Sequence, residues 1–318
     1  MRNTSSKVAA MRAVVTGATG FAGSQVTRLL VHEGCEVHAI VRKTSDTWRI
    51  KDLLDSVHVV RGDLTEFATL EEQLESIRPE VCYHLAWYAV PGLYLTSQEN
   101  VKMVTSSIQL ATCLARLGCR RLIAIGTCLE YETSLGYLSE TTPTSPRSLY
   151  AASKLALRYL LEQLAASSQM EFAWARLFYL YGPFEAQKRL VPYVISALLS
   201  NRIATISGSS QIRDYLHVED VASAICAVGQ SRLVGPVNIG SGKPIPVLDV
   251  ATKIGTITDR MNLIRIDTQK TDESQPAFVC ANNSLLTRAT NWTPKYDLEQ
   301  GLRETVAWWK SKLEDEAA

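Results

Sequence analysis

A tyrosine and a lysine, Tyr150 and Lys154, stand four residues apart at the start of a segment whose leucines recur at helical spacing. Residues four apart on a helix lie on the same face, one turn from each other. A free tyrosine titrates near pH 10, so proton exchange at neutral pH requires its pKa to fall by about three units, roughly 4 kcal/mol. A lysine ammonium partly shielded from water can supply much of this. The pair therefore predicts a general acid or base, and the alternative is a chance Tyr and Lys at a helix start.

A glycine-rich turn near the beginning of the chain predicts where a cofactor would bind. A strand-like apolar segment leads into Gly17, Gly20 and Gly23, and helical periodicity follows. Glycines let a pyrophosphate approach the backbone, and the first-turn N–H groups of the helix favour that anion. The Gly-x-x-Gly-x-x-Gly spacing is one residue wider than the usual dinucleotide fingerprint. Taken alone, the motif is equally compatible with an ordinary strand-to-helix turn.

Strand-like and helix-like segments alternate from the glycine turn to about residue 177. This order is typical of an α/β fold with a doubly wound parallel sheet. Ligands bind outside the carboxyl ends of the strands in such sheets. The residues at those ends should therefore share one rim, and they are Gly17, Arg42, Asp63, Ala86 and Thr127.

Arg42 ends the second predicted strand, where an adenosine ribose would lie. An acid at this place accepts a hydrogen bond from the ribose 2′-OH of NAD, whereas an arginine accommodates the 2′-phosphate of NADP. We therefore expect NADP(H) to be favoured over NAD(H). The alternative is a solvated arginine at a strand end.

Thr127 ends the fifth predicted strand, and its hydroxyl can bind the same substrate oxygen as Tyr150. The positive nicotinamide ring of an oxidised cofactor would add to the effect of Lys154. Together the three residues form a predicted relay. Tyr150 exchanges the proton, Lys154 lowers its pKa and holds the ribose, and Thr127 orients the oxygen. Trp87 and Tyr88 follow the fourth strand, where they could wall a ligand crevice or cap the core.

The composition of the 318 residues is that of an ordinary soluble globular protein, with 46% hydrophobic residues, 20% charged residues and a net charge of +1. Nothing in it indicates a nucleic-acid or membrane surface. Seven cysteines without a Cys-x-x-Cys pair indicate neither a disulfide framework nor a zinc site, so we expect a reducing cytoplasm and no metal. Residues 1–10 have no apolar core of signal-peptide length, and we interpret them as a disordered or added extension.

Several motifs taken together resemble the extended short-chain dehydrogenase/reductase family. In the first half of the chain they are the glycine turn, Gly62-Asp63-Leu64, His84-Leu85-Ala86, Thr127 with Tyr131, and Tyr150-x-x-x-Lys154. The second half is similar to the nucleotide-sugar branch of that family in Arg176 with Tyr181-Gly182-Pro183, in the segment from Arg213 to Val221, in Asn238-Ile239-Gly240-Ser241-Gly242 and in Asn291-Trp292-Thr293-Pro294. The similarity runs from about residue 12 to 310.

This resemblance implies a Rossmann domain with a bound dinucleotide and a smaller mixed α/β carboxyl-terminal domain that holds a nucleoside-diphosphate (NDP) sugar. We expect the Rossmann domain over 11–178, with pieces returning at about 211–243, and the substrate domain over 179–210 and 244–318. The resemblance also implies homodimers that form through the helices near 98–117 and 149–166. By the same resemblance, Arg213 would contact the nucleotide diphosphate or ribose.

The predicted cofactor-binding residues are Gly17, Thr19, Gly20, Phe21, Ala22, Arg42, Asp63, Leu64, Leu85, Ala86, Tyr150 and Lys154. The predicted substrate-binding residues are Trp87, Tyr88, Cys128, Tyr179, Arg189 and Arg213.

Departures from the family pattern narrow the predicted reaction. The 4,6-dehydratases of this family follow the catalytic threonine with an Asp-Glu pair, and the sugar-acid decarboxylases keep a glutamate there. Here those places hold Cys128 and Leu129, which cannot do that acid–base work. A cysteine of 3,5-epimerising members stands one residue later than Cys128, so a core thiol is the default for this residue. Tyr179 stands where many relatives have an asparagine that binds the diphosphate.

The remaining chemistry needs one hydride, one proton and a held sugar. We expect NADPH-dependent reduction of an NDP-4-keto-6-deoxyhexose at C4, in which Tyr150 protonates the oxygen. One alternative is an NDP-hexose 4-epimerase with tightly bound NAD(P). Others are a reductase of aromatic carbonyls and a dinucleotide-sensing regulator that has lost the reaction.

Overall fold

The computed structural model describes residues 10–267 and 276–317, with side chains to residue 315. Residues 1–9, within the expected amino-terminal extension, lie outside this part, as do residues 268–275 of the expected substrate domain. The strands are β1 (Arg12–Thr16), β2 (Glu36–Val41), β3 (His58–Arg61), β4 (Val81–His84), β5 (Arg121–Thr127), β6 (Tyr137–Leu138), β7 (Glu171–Leu177), β8 (Tyr179–Tyr181), β9 (Ala204–Ile206), β10 (Ile212–His217), β11 (Gly235–Ile239), β12 (Pro244–Pro246), β13 (Ile264–Ile266) and β14 (Cys280–Ala281).

The helices are α1 (Phe21–His32), α2 (Phe67–Ile77), α3 (Glu99–Arg116), α4 (Leu149–Ser168), α5 (Leu190–Leu199), α6 (Val218–Gln230), α7 (Val247–Ile257), α8 (Ser284–Thr290) and α9 (Leu298–Ala317). Short 3-10 turns cover Trp48–Leu53, Cys128–Glu130, Thr133–Leu135 and Met261–Leu263. No helix in the described ranges combines the length and the apolar character needed to cross a bilayer.

Seven parallel strands form the central sheet in the spatial order β11-β7-β5-β4-β1-β2-β3. The inner strands β1, β4 and β5 are nearly continuous buried apolar runs, as strands covered on both faces must be. Helices α1 and α6 cover one face, and α2, α3 and α4 cover the other. The order reverses direction between β1 and β4, so a crevice lies outside the carboxyl ends of these two strands. The prediction of a doubly wound α/β sheet is confirmed.

Three smaller sheets complete the described part of the chain, with the orders β12-β10-β8, β13-β9 and β14-β6. A separate hydrophobic core joins α5, α7 and α9, with Val194, Val250 and Leu302 among its buried residues. This core belongs to segments that we assigned to the smaller substrate domain.

The expected return of residues 211–243 to the large sheet holds for only part of that segment. Strand β11 pairs with β7, and α6 packs against α1, whereas β10 pairs with β8 and β12 in a small sheet. In addition, Leu286 and Trp292, within a segment assigned to the substrate domain, pack in the core of the large sheet. The division into two domains at the stated boundaries therefore stays a prediction.

Candidate active site

The glycine turn joins β1 to α1 at the carboxyl edge of the sheet. Gly17 has a φ of +71°, and a Cβ there would lie 2.7 Å from the backbone nitrogen of Ala86. A Cβ on Gly23 would lie 2.0 Å from the carbonyl oxygen of Gly17. The turn therefore requires glycine at both places. A ligand can approach the backbone of the turn at the first turn of α1. Of the other predicted residues, Gly20 is the N-cap of α1, Phe21 and Ala22 begin it, and Thr19 lies in the turn.

Arg42 and Asp63 lie on the same edge, just after β2 and β3. Arg42 is exposed, and its Nε donates to Ser45 Oγ at 3.4 Å. The Oδ1 atom of Asp63 accepts hydrogen bonds from the backbone N–H and the hydroxyl of Thr65, at 2.9 and 2.8 Å. The carboxylate of Asp63 thus holds the turn that precedes α2, while the neighbouring Leu64 is buried.

His84 fixes the chain where β4 meets the crevice. Its Nδ1 lies 2.7 Å from Thr16 Oγ1, and its Nε2 lies 2.8 Å from Ser107 Oγ. The same Thr16 hydroxyl accepts a hydrogen bond from the Ala86 backbone at 3.1 Å. Burial lowers the pKa of His84 to about 3, so the ring is neutral near pH 7. This network holds Leu85 and Ala86 beside the glycine turn.

Tyr150 and Thr127 meet at the carboxyl end of β5, as predicted from their spacing. Helix α4 begins at Leu149, because the Ser148 side chain caps it by accepting from the Ala151 N–H at 3.2 Å. Tyr150 therefore lies in the first turn, with the side chain of Thr127 among its neighbours. The rings of Tyr94 and Trp87 lie edge-on to the phenol, with centroids at 4.8 and 6.4 Å.

The expected acidification of Tyr150 by Lys154 and a nicotinamide ring stays a prediction. In the protein alone, burial raises the pKa of Tyr150 above its usual value, the Tyr94 phenol adds to this, and the Thr127 side chain opposes it. The ammonium of Lys154 is engaged elsewhere, since its Nζ donates to the Ile125 carbonyl at 2.7 Å. Nζ also lies 3.7 Å from the centroid of the Trp87 ring. Burial lowers the pKa of Lys154 to about 7, against a smaller upward effect of the Glu130 charge.

Glu130 is a site-supporting residue that the sequence analysis missed. Its fully buried carboxylate accepts from the Thr127 backbone N–H at 2.8 Å, from Trp174 Nε1 at 3.0 Å and from Arg176 Nε at 2.8 Å. The carboxylate therefore fixes the backbone of Thr127. The available signal was Arg176 itself, because a buried guanidinium requires a counter-charge.

Arg49 is a second residue that motif analysis did not find. Its NH1 donates to the Thr19 carbonyl in the glycine turn at 3.3 Å, and its Nε donates to the Phe184 carbonyl at 2.9 Å. Arg49 thus connects the turn to the loop that follows β8. No spacing rule marks it, since it lies in an irregular segment after β2.

The predicted substrate residues fall into two groups. Tyr179 and Arg213 adjoin each other, with the guanidinium carbon 5.3 Å from the ring centroid, and Arg213 also donates to Gln211 Oε1 at 2.8 Å. Arg189 is exposed before α5, 5.6 Å from the Tyr94 ring centroid. Trp87 and Tyr88 are half-buried beyond β4.

Cys128, like Arg213 at 2% exposed, is buried. It is 4% exposed, and it packs in a small cluster with Tyr131, Leu138 and Phe178. Burial raises the pKa of the Cys128 thiol to about 12, which favours the core thiol over a reactive thiolate.

A buried carboxyl, Glu185, lies on the loop between β8 and α5. Its Oε2 has no hydrogen-bond partner among the described residues. Burial raises the pKa of Glu185 to about 8, against the opposing charge of Arg189. At neutral pH this side chain is therefore largely protonated.

Comparisons with known proteins agree with this geometry. The model of the NAD dependent epimerase/dehydratase family matches residues 13–240. UDP-glucuronic acid decarboxylase 1 of Arabidopsis thaliana is 27% identical over 322 residues, covering 96% of this chain and 71% of that protein. A probable dTDP-glucose 4,6-dehydratase of Sinorhizobium fredii is 26% identical over 334 residues, covering 94% and 93%.

The solved structure of UDP-N-acetylglucosamine 4-epimerase from Methanobrevibacter ruminantium shares the fold, with a TM-score of 0.87 and 24% identity over 95% of this chain and 99% of that one. The family match covers the glycine turn, the Thr127–Tyr150 pair and Lys154. The chain therefore belongs to the NAD dependent epimerase/dehydratase family and is a nicotinamide-dependent enzyme of the extended short-chain dehydrogenase/reductase type.

Proposed function

We propose that this protein reduces the C4 carbonyl of an NDP-4-keto-6-deoxyhexose with NADPH. The observation that carries the proposal is the position of Tyr150 in the first turn of α4, edge-on to the rings of Tyr94 and Trp87 and near the hydroxyl of Thr127 at the end of β5. Burial keeps the Tyr150 phenol protonated at neutral pH, and a protonated phenol is what reduction of a carbonyl needs.

The glycine turn fits a dinucleotide, because it brings the first turn of α1, whose N-cap Gly20 has no side chain to cap it, to the carboxyl edge of the sheet, where its N–H groups can bind a pyrophosphate. A bound nicotinamide cofactor supplies the hydride. Tyr150 donates its proton to the carbonyl oxygen as charge develops on it, and Thr127 holds that oxygen. The ammonium of Lys154 stabilises the phenolate that is left after the transfer.

The neighbours of Thr127 favour this reaction over elimination of water or carbon dioxide. Cys128 and Leu129 offer no carboxylate, and Glu130 is fully buried against Trp174 and Arg176. A dehydratase or decarboxylase needs an acid–base group that can reach the sugar. The substrate is proposed to contact Tyr179, Arg189 and Arg213, whose two guanidinium groups suit a diphosphate.

The second candidate is a 4-epimerase of an NDP-hexose, which would use Tyr150 in both proton transfers. The likeness of fold to UDP-N-acetylglucosamine 4-epimerase favours it. The deciding experiment supplies NADPH and NDP-4-keto-6-deoxyhexoses, generated in place by a 4,6-dehydratase from dTDP-, UDP-, GDP- and CDP-glucose. Oxidation of NADPH in proportion to sugar supports the reductase. In a parallel assay that supplies the NDP-hexoses without the dehydratase, interconversion of 4-epimers without net change in the cofactor would replace it with the epimerase.

We propose NADP(H) as the cofactor, on the position of Arg42 one residue beyond β2. Replacing it in Arg42→Ala should weaken NADPH binding about tenfold, the size of one charge-assisted hydrogen bond, and leave NADH binding unchanged. Fluorescence titration of both cofactors measures this. The control is Arg120→Ala. Arg120 is exposed and precedes β5, so it lies at the opposite edge of the sheet. An unaltered preference in Arg42→Ala would remove the case for NADP.

A homodimer through α3 and α4 is also proposed. The two helices pack on each other, yet their outer face exposes half of Val101 and half of Leu160. Ile108, Leu161 and Leu164 continue this surface as a shallow apolar hollow. Contiguous apolar surface of this kind is typical of an interface.

A further inference from the structure

Three side chains that the proposed reaction does not use come together at the opposite edge of the large sheet. Parallel pairing of β2 with β3 places His38 directly beside His58. Glu36 precedes His38 by two residues on the same strand, so its side chain points to the same face. Two neighbouring strands thus present a carboxylate and two imidazoles on one surface.

The distances between their ligand atoms are short. Glu36 Oε1 lies 2.9 Å from His38 Nε2 and 4.0 Å from His58 Nε2. One ligand atom from each residue lies within 4.8 Å of the others. Ligands about 2.0 Å from a tetrahedral ion are roughly 3.3 Å apart. Closing the set therefore requires the His58 ring, which is stacked on the His38 ring with centroids 4.8 Å apart, to turn and approach by about an ångström. Its side chain is 66% exposed.

We infer that Glu36, His38 and His58 form a binding site for one divalent transition-metal ion of the zinc, cobalt or nickel class. Imidazole nitrogens and a carboxylate suit these ions, whereas magnesium and calcium take sets of oxygen ligands. Water completes the coordination on the exposed side. The rigid strands fix Glu36 and His38 in relation to each other, and His58 closes over the ion.

The neighbouring arginine does not occupy the place of the ion. Arg12 lies opposite Glu36 in the pairing of β1 with β2. Its Nε donates to the Arg78 carbonyl at 3.1 Å, and its NH2 lies 3.9 Å from Glu80 Oε2. The guanidinium is thus directed to the segment after α2.

The site lies at the beginning of β2, and Arg42 follows the end of that strand. Six residues of strand separate the two edges by about 20 Å. Metal bound there would join the short edge strand β3 to β2 without touching the cofactor crevice. This site differs from our expectation of no metal, because His58 comes from a different strand and no local spacing marks the set.

The test uses the full chain without a histidine tag, stripped with a chelator and dialysed. Zinc and cobalt ions are titrated by calorimetry, and the cobalt complex is examined by absorption. We expect one ion per chain and a cobalt spectrum without a thiolate charge-transfer band. His58→Ala should weaken metal binding on the order of 100-fold. Loss of a ligand should cost at least as much affinity as loss of a residue that only hydrogen-bonds to a ligand. Zinc should raise the melting temperature of the wild type but not that of His58→Ala.

The matched control is His32→Ala, which removes an exposed histidine at the end of α1 and should bind as the wild type does. Unchanged NADPH binding and melting temperature of metal-free His58→Ala show that this variant folds. Equal affinity of His58→Ala and the wild type would overturn the site. A thiolate band in the cobalt complex would do the same, because it would place the ion on a cysteine.

Discussion

The phenol of Tyr150 lies where its environment opposes ionisation. The rings of Tyr94 and Trp87 lie edge-on to it, and the hydroxyl of Thr127 is its neighbour at the end of β5. Acidification must therefore come from the charges of a bound cofactor and substrate rather than from the protein alone. The resting residue is thus a proton donor, and its conjugate base forms only during the reaction.

Removing this hydroxyl in Tyr150→Phe should lower turnover by about two orders of magnitude or more, the usual scale of a general acid. Cofactor affinity should stay close to that of the wild type, because the ring and its packing are kept. Steady-state rates and cofactor titration measure the two effects. Tyr159→Phe removes the hydroxyl of a half-exposed tyrosine on the same helix and should change neither. Unchanged turnover in Tyr150→Phe would refute the assigned role.

Trp87 stabilises the charged form of Lys154. Its ring face lies 3.7 Å from Nζ, and the buried Asn100 holds the indole by accepting from Nε1 at 2.8 Å. A cation–π contact in a desolvated setting contributes about 2 kcal/mol. Trp87→Leu should therefore lower the pKa of Lys154 from about 7 by about one unit.

The ammonium is lost as pH rises through that pKa, so the alkaline limb of the turnover profile should move to lower pH in Trp87→Leu. Trp87→Phe keeps a ring face and should show a smaller movement. Profiles of kcat from pH 5 to 9 measure it. If the alkaline limbs of the wild type and Trp87→Leu coincide, the ring does not act on the lysine.

Glu185 couples the stability of the protein to pH. Its pKa is raised from 4.5 to about 8 by burial, so the folded chain keeps a proton that the unfolded chain loses above about pH 4.5. The contribution of Glu185 to stability is therefore fully present below pH 4.5 and is lost as pH rises to 8. The decline is at most about 1.4 kcal/mol per pH unit.

Glu185→Gln cannot titrate, so its free energy of unfolding should fall less between pH 5 and 8.5 than that of the wild type. Urea unfolding at the two pH values measures the difference. Glu72→Gln, which replaces an exposed acid on α2, should keep the decline of the wild type. A parallel decline in Glu185→Gln would show that another group is responsible.

At the scale of elements, the end of β5 depends on its packing against β7. Gly126 admits no side chain there, since a Cβ would lie 2.2 Å from Trp174 Nε1 and 2.6 Å from Glu130 Oε1. Trp174 and Arg176 of β7 hold Glu130, and Glu130 holds the Thr127 backbone. Two neighbouring strands thus fix the backbone of Thr127, the predicted partner of Tyr150.

The paired helices α3 and α4 carry the proposed dimer surface. Leu160→Glu places a charge in the middle of that apolar face and should give a monomer at micromolar concentration, because a desolvated charge opposes burial. Light scattering coupled to gel filtration measures the mass. Val234→Glu alters an exposed apolar residue before β11 and should leave the dimer intact. A wild type that is already a monomer would contradict the proposal.

At the scale of the whole molecule, the sequence predicted what short-range spacing encodes. The glycine turn, the alternating strands and the Tyr150–Lys154 turn are local patterns. The fold class and the family were predicted with their help, and both predictions were confirmed. Contacts between distant segments were not predictable in this way. Two examples are the pairing of Glu130 with Arg176 and that of Arg49 with Thr19. The partners in each pair lie on different segments, so no helical or strand repeat of the sequence relates them.

The sequence did not show that β10 leaves the large sheet, because its partners β8 and β12 are three residues long, too short for alternation to show with which sheet they pair. The direction of the Tyr150 pKa depended on burial, which the spacing of two residues on a helix does not reveal.

The family match ends at residue 240, but the folded unit does not. Strand β14 pairs with β6, which follows the two short 3-10 turns after Thr127. The carboxylate of Asp220, 2% exposed, accepts hydrogen bonds from the backbone of Lys295 and Tyr296. A fragment cut at the family boundary would leave that buried acid without its donors and the loop after Thr127 without its strand partner. The segments before and after residue 240 therefore share buried contacts, so we expect neither to be stable when it is expressed alone.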